Sequence, residues 1–173
     1  PIDTAPPLDG RQGDMQLVQI LTQERTFCGA QSTSKKRLLE DIAQFISNDV
    51  HALNANEIYA QLLNRERLGS TGIGEGVAIP HCRVSNCSSV IGTLVTLKSA
   101  VDFESVDDKP VDILFALVAP EEGHDEHLKA LASIAERLND PAFREQIRAA
   151  DSADILFHTA VNYLSTSAER ATP

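Results

Sequence analysis

The sequence has no stretch approaching the roughly 18 to 20 consecutive apolar residues that a membrane-spanning helix requires. Its opening, PIDTAPPLDG, also lacks the basic segment followed by an apolar one that marks a secretory leader. A cytoplasmic protein without membrane insertion is expected. Basic residues are scarce: 15 Lys and Arg against 25 Asp and Glu give a formal charge of -10. Affinity for nucleic-acid backbones comes from Lys and Arg displacing counterions, so nucleic acid is excluded as a partner and a basic protein is favoured. Cysteine is sparse too. Cys28, Cys82 and Cys87 are odd in number and spaced unlike a zinc module or a disulfide framework, which predicts free thiols in a reducing compartment. What remains is ordinary: 173 residues, 42% apolar and 23% charged, suit one globular domain with one core. The chain begins with Pro rather than Met, which points to a processed or trimmed N-terminus.

Residues 1 to 13 are rich in Pro, Gly and Asp without apolar periodicity and read as a disordered lead-in. The domain is expected over 14 to 166, with a flexible tail over 167 to 173. From Ser34, an N-cap candidate, Leu38, Leu39, Ile42, Phe45 and Ile46 recur at helical spacing. Asn54 and Glu57 have the spacing of a capping box, and Ile58, Tyr59, Leu62 and Leu63 continue one apolar face until Gly69. VIGTLVTL (90 to 97) and VDILFALVAP (111 to 120) read as buried strands. A third helix from about Gly123 carries Leu128, Leu131, Ile134, Ala135 and Leu138 and stops at Asn139-Asp140-Pro141. Short helices over 142 to 149 and 152 to 164 close an α/β fold with helices packed on a sheet.

The stretch GSTGIGEGVAIPHCR (69 to 83) carries the chemistry. It lacks the Gly-Lys-Ser/Thr ending of a P-loop and misses the dinucleotide fingerprint, and both of those motifs need a strand before the glycines rather than a helix. Gly69, Gly72, Gly74 and Gly76 suit backbone with positive φ or close approach, leading into a strand that ends at Pro80. His81 is therefore expected where strand becomes loop, pre-positioned and partly exposed. Arg65 and Arg67, at the end of the second helix, are one loop away and suited to an anion bound at His81. His127 opens the stripe His127, Leu131, Ile134, Leu138, so its ring is aimed at the core side near a helix N-terminus, where the dipole disfavours imidazolium. His124 shares that face one turn earlier and is expected to be exposed. Structural, hydrogen-bonded histidines are the alternative for both His81 and His127, and His51 and His158 have no chemical neighbourhood.

GSTGIGEGVAIPH, together with SKKRLLE, NRERLGSTGIGEGVAIPHCR, DKPVDILFALVAP and EHLKALASIAERL in the same order, resembles the EIIA domains of the phosphoenolpyruvate-dependent phosphotransferase system. The resemblance is to the mannitol/fructose class and its nitrogen-regulatory branch, over about residues 15 to 165. It implies a mixed β-sheet flanked by helices in a single domain. It also implies a phosphocarrier that takes a phosphoryl group from an HPr/NPr-type phosphohistidine protein, needing no metal or cofactor. By position, His81 is the implied acceptor, with His127 and Arg65 beside it. Arg67 stands where many relatives carry Lys, and Cys82 stands where the residue is often Gly or Ala, so that its oxidation would crowd His81. Regulatory targets, such as potassium transport or a sensor kinase, are implied as further partners.

The chain ends soon after the matched portion, which favours a stand-alone regulatory protein over a sugar-transport fusion. A stand-alone fructose- or mannitol-type component passing phosphate to an EIIB stays open, as does a binding module that is never phosphorylated. A metal-dependent hydrolase built on His81, His124 and His127 is disfavoured: their spacing is not that of zinc helices, and Glu121, Glu122, Asp125 and Glu126 read as a helix start.

Overall fold

The structure, a computed structural model, describes residues 16 to 163. The lead-in expected over 1 to 13, the expected domain ends at 14 and 166, and the tail over 167 to 173 lie outside the described residues. Two short 3-10 turns, Leu17–Gln19 and Gln23–Arg25, precede strand β1 (Thr26–Ala30). None of the three was legible, because short irregular turns carry no periodicity. Helix α1 (Lys35–Asp49) starts at the Ser34 N-cap, whose hydroxyl accepts from Arg37 N. Helix α2 (Ala55–Leu68) starts at Asn54, whose side chain accepts from Glu57 N. The expected capping box is only half made: the Glu57 carboxylate instead accepts from Ser85 N and Oγ, at 2.9 Å each.

The glycine stretch is a miniature hairpin, β2 (Gly72–Gly74) and β3 (Val77–Ala78), rather than a bare loop. Gly74 and Gly76 have φ of 102° and 78°, where a side chain is strained. After Pro80 the chain does not turn into a loop as expected: a further strand, β4 (His81–Val84), begins at the histidine itself. Strands β5 (Ile91–Val101) and β6 (Val111–Pro120) match the two apolar runs, β5 running four residues further than expected. Helices α3 (His124–Leu138), α4 (Pro141–Ala149) and α5 (Ala153–Asn162) follow.

The sheet is mixed, in the order β1-β5-β6-β3-β2, with β4 also on β6. Strand β5 is antiparallel to β6 and parallel to β1, whereas β3 and β4 both run parallel to β6 along its other edge. Pro80 sits in the gap between β3 and β4. Having no N–H to give, it offers its carbonyl to Leu117 N at 2.9 Å. Strand β6 is buried on both faces. Its Leu114, Ala116 and Val118 meet α1 and α2, while Ile113, Phe115, Leu117 and Ala119 meet α3, α4 and α5. The result is a three-layer α/β/α domain, in agreement with the mixed sheet flanked by helices expected from the order of elements and from the resemblance.

One detail of α3 differs from the expected apolar face. His127, Ala130, Ile134 and Leu138 are buried, but Leu128 is 63% exposed. One residue along a helix turns about 100°, so a face centred on 127, 130 and 134 carries 128 out to solvent.

Candidate active site

Strand alternation decides which way His81 faces. Cys82 and Val84 point into the core under α1 and α2, so His81 and Arg83 must point to the opposite, α3 side of the sheet. There the His81 ring meets that of His127, centroid to centroid at 5.5 Å and nearly edge-on. Because β4 lies at the edge of β6, α2 on the other face can reach around it. Arg65 does so, donating Nε–H to His81 Nε2 at 3.3 Å and Nη1–H to Gly69 O at 2.8 Å.

These bonds fix the tautomer of His81. A guanidinium only donates, so Nε2 is the unprotonated nitrogen. Nδ1 carries the proton and donates it to Ile79 O at 2.8 Å. Burial, and then the Arg65 charge, push the His81 pKa below its usual 6.5, against the Ile79 carbonyl and Glu66, which raise it. The ring is therefore neutral near pH 7, with its one lone pair at Nε2.

His127 is 8% exposed and its pKa is pushed down to about 4, by burial first and then by the charges of His81, Arg83 and His124. Its Nε2 is buried and, among the described residues, has no hydrogen-bond partner. A buried polar atom without a partner is costly, and such atoms concentrate where a ligand completes the set. The cleft is lined by Arg65, His81, Arg83, His124 and His127, with Leu68 and Leu128 at its margin.

Of the residues singled out in the sequence, Arg65, His81 and His127 are brought together. Arg67 is not: its guanidinium bonds Asn64 instead. His124 is exposed as expected, and its ring meets the Arg83 guanidinium. Arg83 was in the quoted motif but given no place. The signal was there, since residues two apart on a strand share a face. Glu66, a buried carboxylate, was missed as an anchor of this region, and Glu57 was read only as part of a helix cap, because such long-range partners leave no pattern in a sequence. Cys82 is a free, buried thiol whose pKa burial pushes up to about 12. Among the described residues no group of three His, Cys, Asp or Glu side chains is placed to hold a metal ion, and no helix is long and apolar enough to cross a membrane.

The protein is a mixed-sheet α/β/α domain that pairs two histidines, one on an edge strand and one on a flanking helix. More closely, the chain belongs to the family described as phosphoenolpyruvate-dependent sugar phosphotransferase system, EIIA 2, whose model matches residues 19–160. A "Nitrogen regulatory protein" of Pseudomonas aeruginosa is 42% identical over 148 residues, covering 86% of this chain and 96% of that protein. The crystal structure of the nitrogen regulatory protein IIA-Ntr from Neisseria meningitidis superposes with a TM-score of 0.78 at 31% identity, covering 83% of this chain and 98% of that one. The fructose-specific EIIABC component of Bacillus subtilis is 30% identical over 143 residues, 82% of this chain but 22% of that much longer protein.

Proposed function

We propose that this chain is a nitrogen-regulatory phosphocarrier in which His81 Nε2 accepts a phosphoryl group from an HPr/NPr-type phosphohistidine protein. One observation carries the reading: the lone pair of a neutral His81 faces a guanidinium on one side, with the unpartnered Nε2 of His127 across the same cleft. Phosphoryl transfer needs in-line positioning and stabilisation of charge spread over the equatorial oxygens. Arg65 and His127 are the groups for that task, both as donors, His127 remaining neutral because its ring is too buried to charge.

In the step itself Arg65 Nε–H turns from His81 Nε2 to a phosphoryl oxygen, the freed Nε2 lone pair attacks phosphorus and the P–N bond to the donor imidazole breaks. The His81 proton stays on Nδ1, hydrogen-bonded to Ile79 O, throughout. A donor phosphohistidine protonated on its other ring nitrogen leaves as a neutral ring, so no proton has to move. The margin supports a protein donor. Leu68 is 84% and Leu128 63% exposed, an apolar rim around a basic centre of Arg65, Arg83 and His124 in an otherwise acidic molecule.

Phosphorylation brings nearly two negative charges to that centre and cancels the positive charge of the face, which is the means by which it would select regulatory protein partners. The match to a fructose-specific component supports a second reading, in which the acceptor is an EIIB. Intact-mass spectrometry after incubation with phosphoenolpyruvate, an EI-type enzyme and an HPr-like carrier tests the carrier step on wild type and His81→Ala together. One acid-labile phosphoryl on wild type alone is expected. No gain on either protein leaves a binding module. Discharge by an added EIIB selects the second reading.

A further inference from the structure

The His81 ring is held by a chain of bonds that begins 15 residues earlier, at Glu66. Glu66 is 7% exposed, next to Arg65 at the end of α2. Its carboxylate accepts from Thr71 N at 2.6 Å and from Thr71 Oγ1 at 2.5 Å, and Lys35 Nζ of α1 stands 3.2 Å from it. Thr71 in turn offers its carbonyl to Ile79 N at 3.0 Å, and Ile79 O accepts the His81 Nδ1 proton. On the far side, Leu117 N holds the Pro80 carbonyl. The two peptide groups before His81 are thus clamped from both sides.

We infer that Glu66 is a positioning residue for phosphoryl transfer: by fixing Thr71 it sets the Ile79 carbonyl that locks His81 into the tautomer with Nε2 free. This inference rests on the phosphocarrier reading for its kinetic consequence, but not for its tautomer. Hydrogen bonding to one nitrogen of an imidazole decides which nitrogen is free to react. From the same place Glu66 steadies the last turn of α2, which carries Arg65. Both partners of the Arg65–His81 contact therefore depend on one buried carboxylate. Lys35 is the only cation placed against that carboxylate among the described residues, and it is itself tied to Phe103 O and Glu104. Glu66 is therefore tied to α1, and the site is braced against three elements, α1, α2 and β6.

Long-range 1H–15N correlation spectra of the histidine rings, on unphosphorylated wild type, Glu66→Gln and Thr71→Val, test the tautomer directly. Wild type should show His81 with Nδ1 protonated and Nε2 bare. Glu66→Gln should shift His81 toward a tautomer mixture while leaving His127 and the far-UV circular dichroism unchanged, and should slow phosphoryl uptake roughly tenfold, a loss typical when a partner that orients a histidine is removed. If Glu66→Gln does not fold, Thr71→Val, which is nearly isosteric, carries the same expectation through loss of the Oγ1 bond. Folded variants with unchanged His81 nitrogen shifts and unchanged uptake overturn the inference. Wild type that shows the tautomer but takes no phosphate refutes the phosphocarrier reading alone.

Discussion

The buried neutral state of His127 makes the stability of the whole domain depend on pH in a way that can be worked out in advance. The ring titrates at 6.5 in an unfolded chain and at about 4 in the folded one. The folded-state value is the lower, so the unfolded chain binds the extra proton between the two. Stability is therefore complete above pH 6.5, declines as pH falls toward 4, and loses nothing further from this residue below that. At about 1.4 kcal/mol per pKa unit the full penalty is about 3 kcal/mol, of which about 2 kcal/mol is already lost at pH 5. For a domain of this size that is roughly 4–8 °C in Tm. The assay is urea unfolding of wild type and His127→Gln at pH 8, 7, 6 and 5. Glutamine retains an N–H donor of similar reach but does not titrate, and every other ionisation is common to both proteins. The difference between the two curves should change by about 2 kcal/mol across that range, wild type losing more as pH falls. Parallel curves would mean that His127 titrates as though in water, and the argument from its burial would fail.

Two further outcomes follow from the site. Arg65→Lys keeps the charge but not the fork that spans Gly69 O and His81 Nε2, so phosphoryl uptake measured by rapid quench should fall by about 100-fold with the fold intact; a rate within twofold of wild type removes Arg65 from the reaction. Cys82, with its pKa near 12, has roughly one thiolate in ten thousand at pH 8, so iodoacetamide should leave it unmodified in native protein and label it only after unfolding; rapid native labelling would contradict its burial under α1 and α2.

How much of this was legible depends on the length of each signal. Helices α1, α2 and α3 and strands β5 and β6 carry eight or more residues of period 3.6 or of continuous apolar character, and each was found, β5 ending four residues beyond its expected limit. Strand β3 falls in the run expected to be a strand ending at Pro80, whereas β1, β2 and β4 have five, three and four residues, too few for a period to show. Their strand character comes from the ladder with β5, β3 or β6, not from propensity. The exposed Leu128 and the half-made capping box failed for a related reason. Helical spacing fixes which residues share a face, but not which face the neighbouring sheet selects, and Glu57 found a stronger set of donors in Ser85 than its own helix end could offer.

By itself the sequence determined the kind of chemistry on offer: a histidine after glycines and a proline, an arginine one loop upstream, and a second histidine on the core side of a helix. Tertiary structure decided what those groups are to each other. Only the pairing of β4 with β6 turns His81 toward α3. Only the open edge of that strand lets Arg65 reach it from the opposite layer, and only burial between the two layers keeps both rings neutral. These are relations between residues 16 and 46 positions apart along the chain. Local propensity cannot specify them, because they exist only once two helices on opposite faces close over the same edge of the sheet.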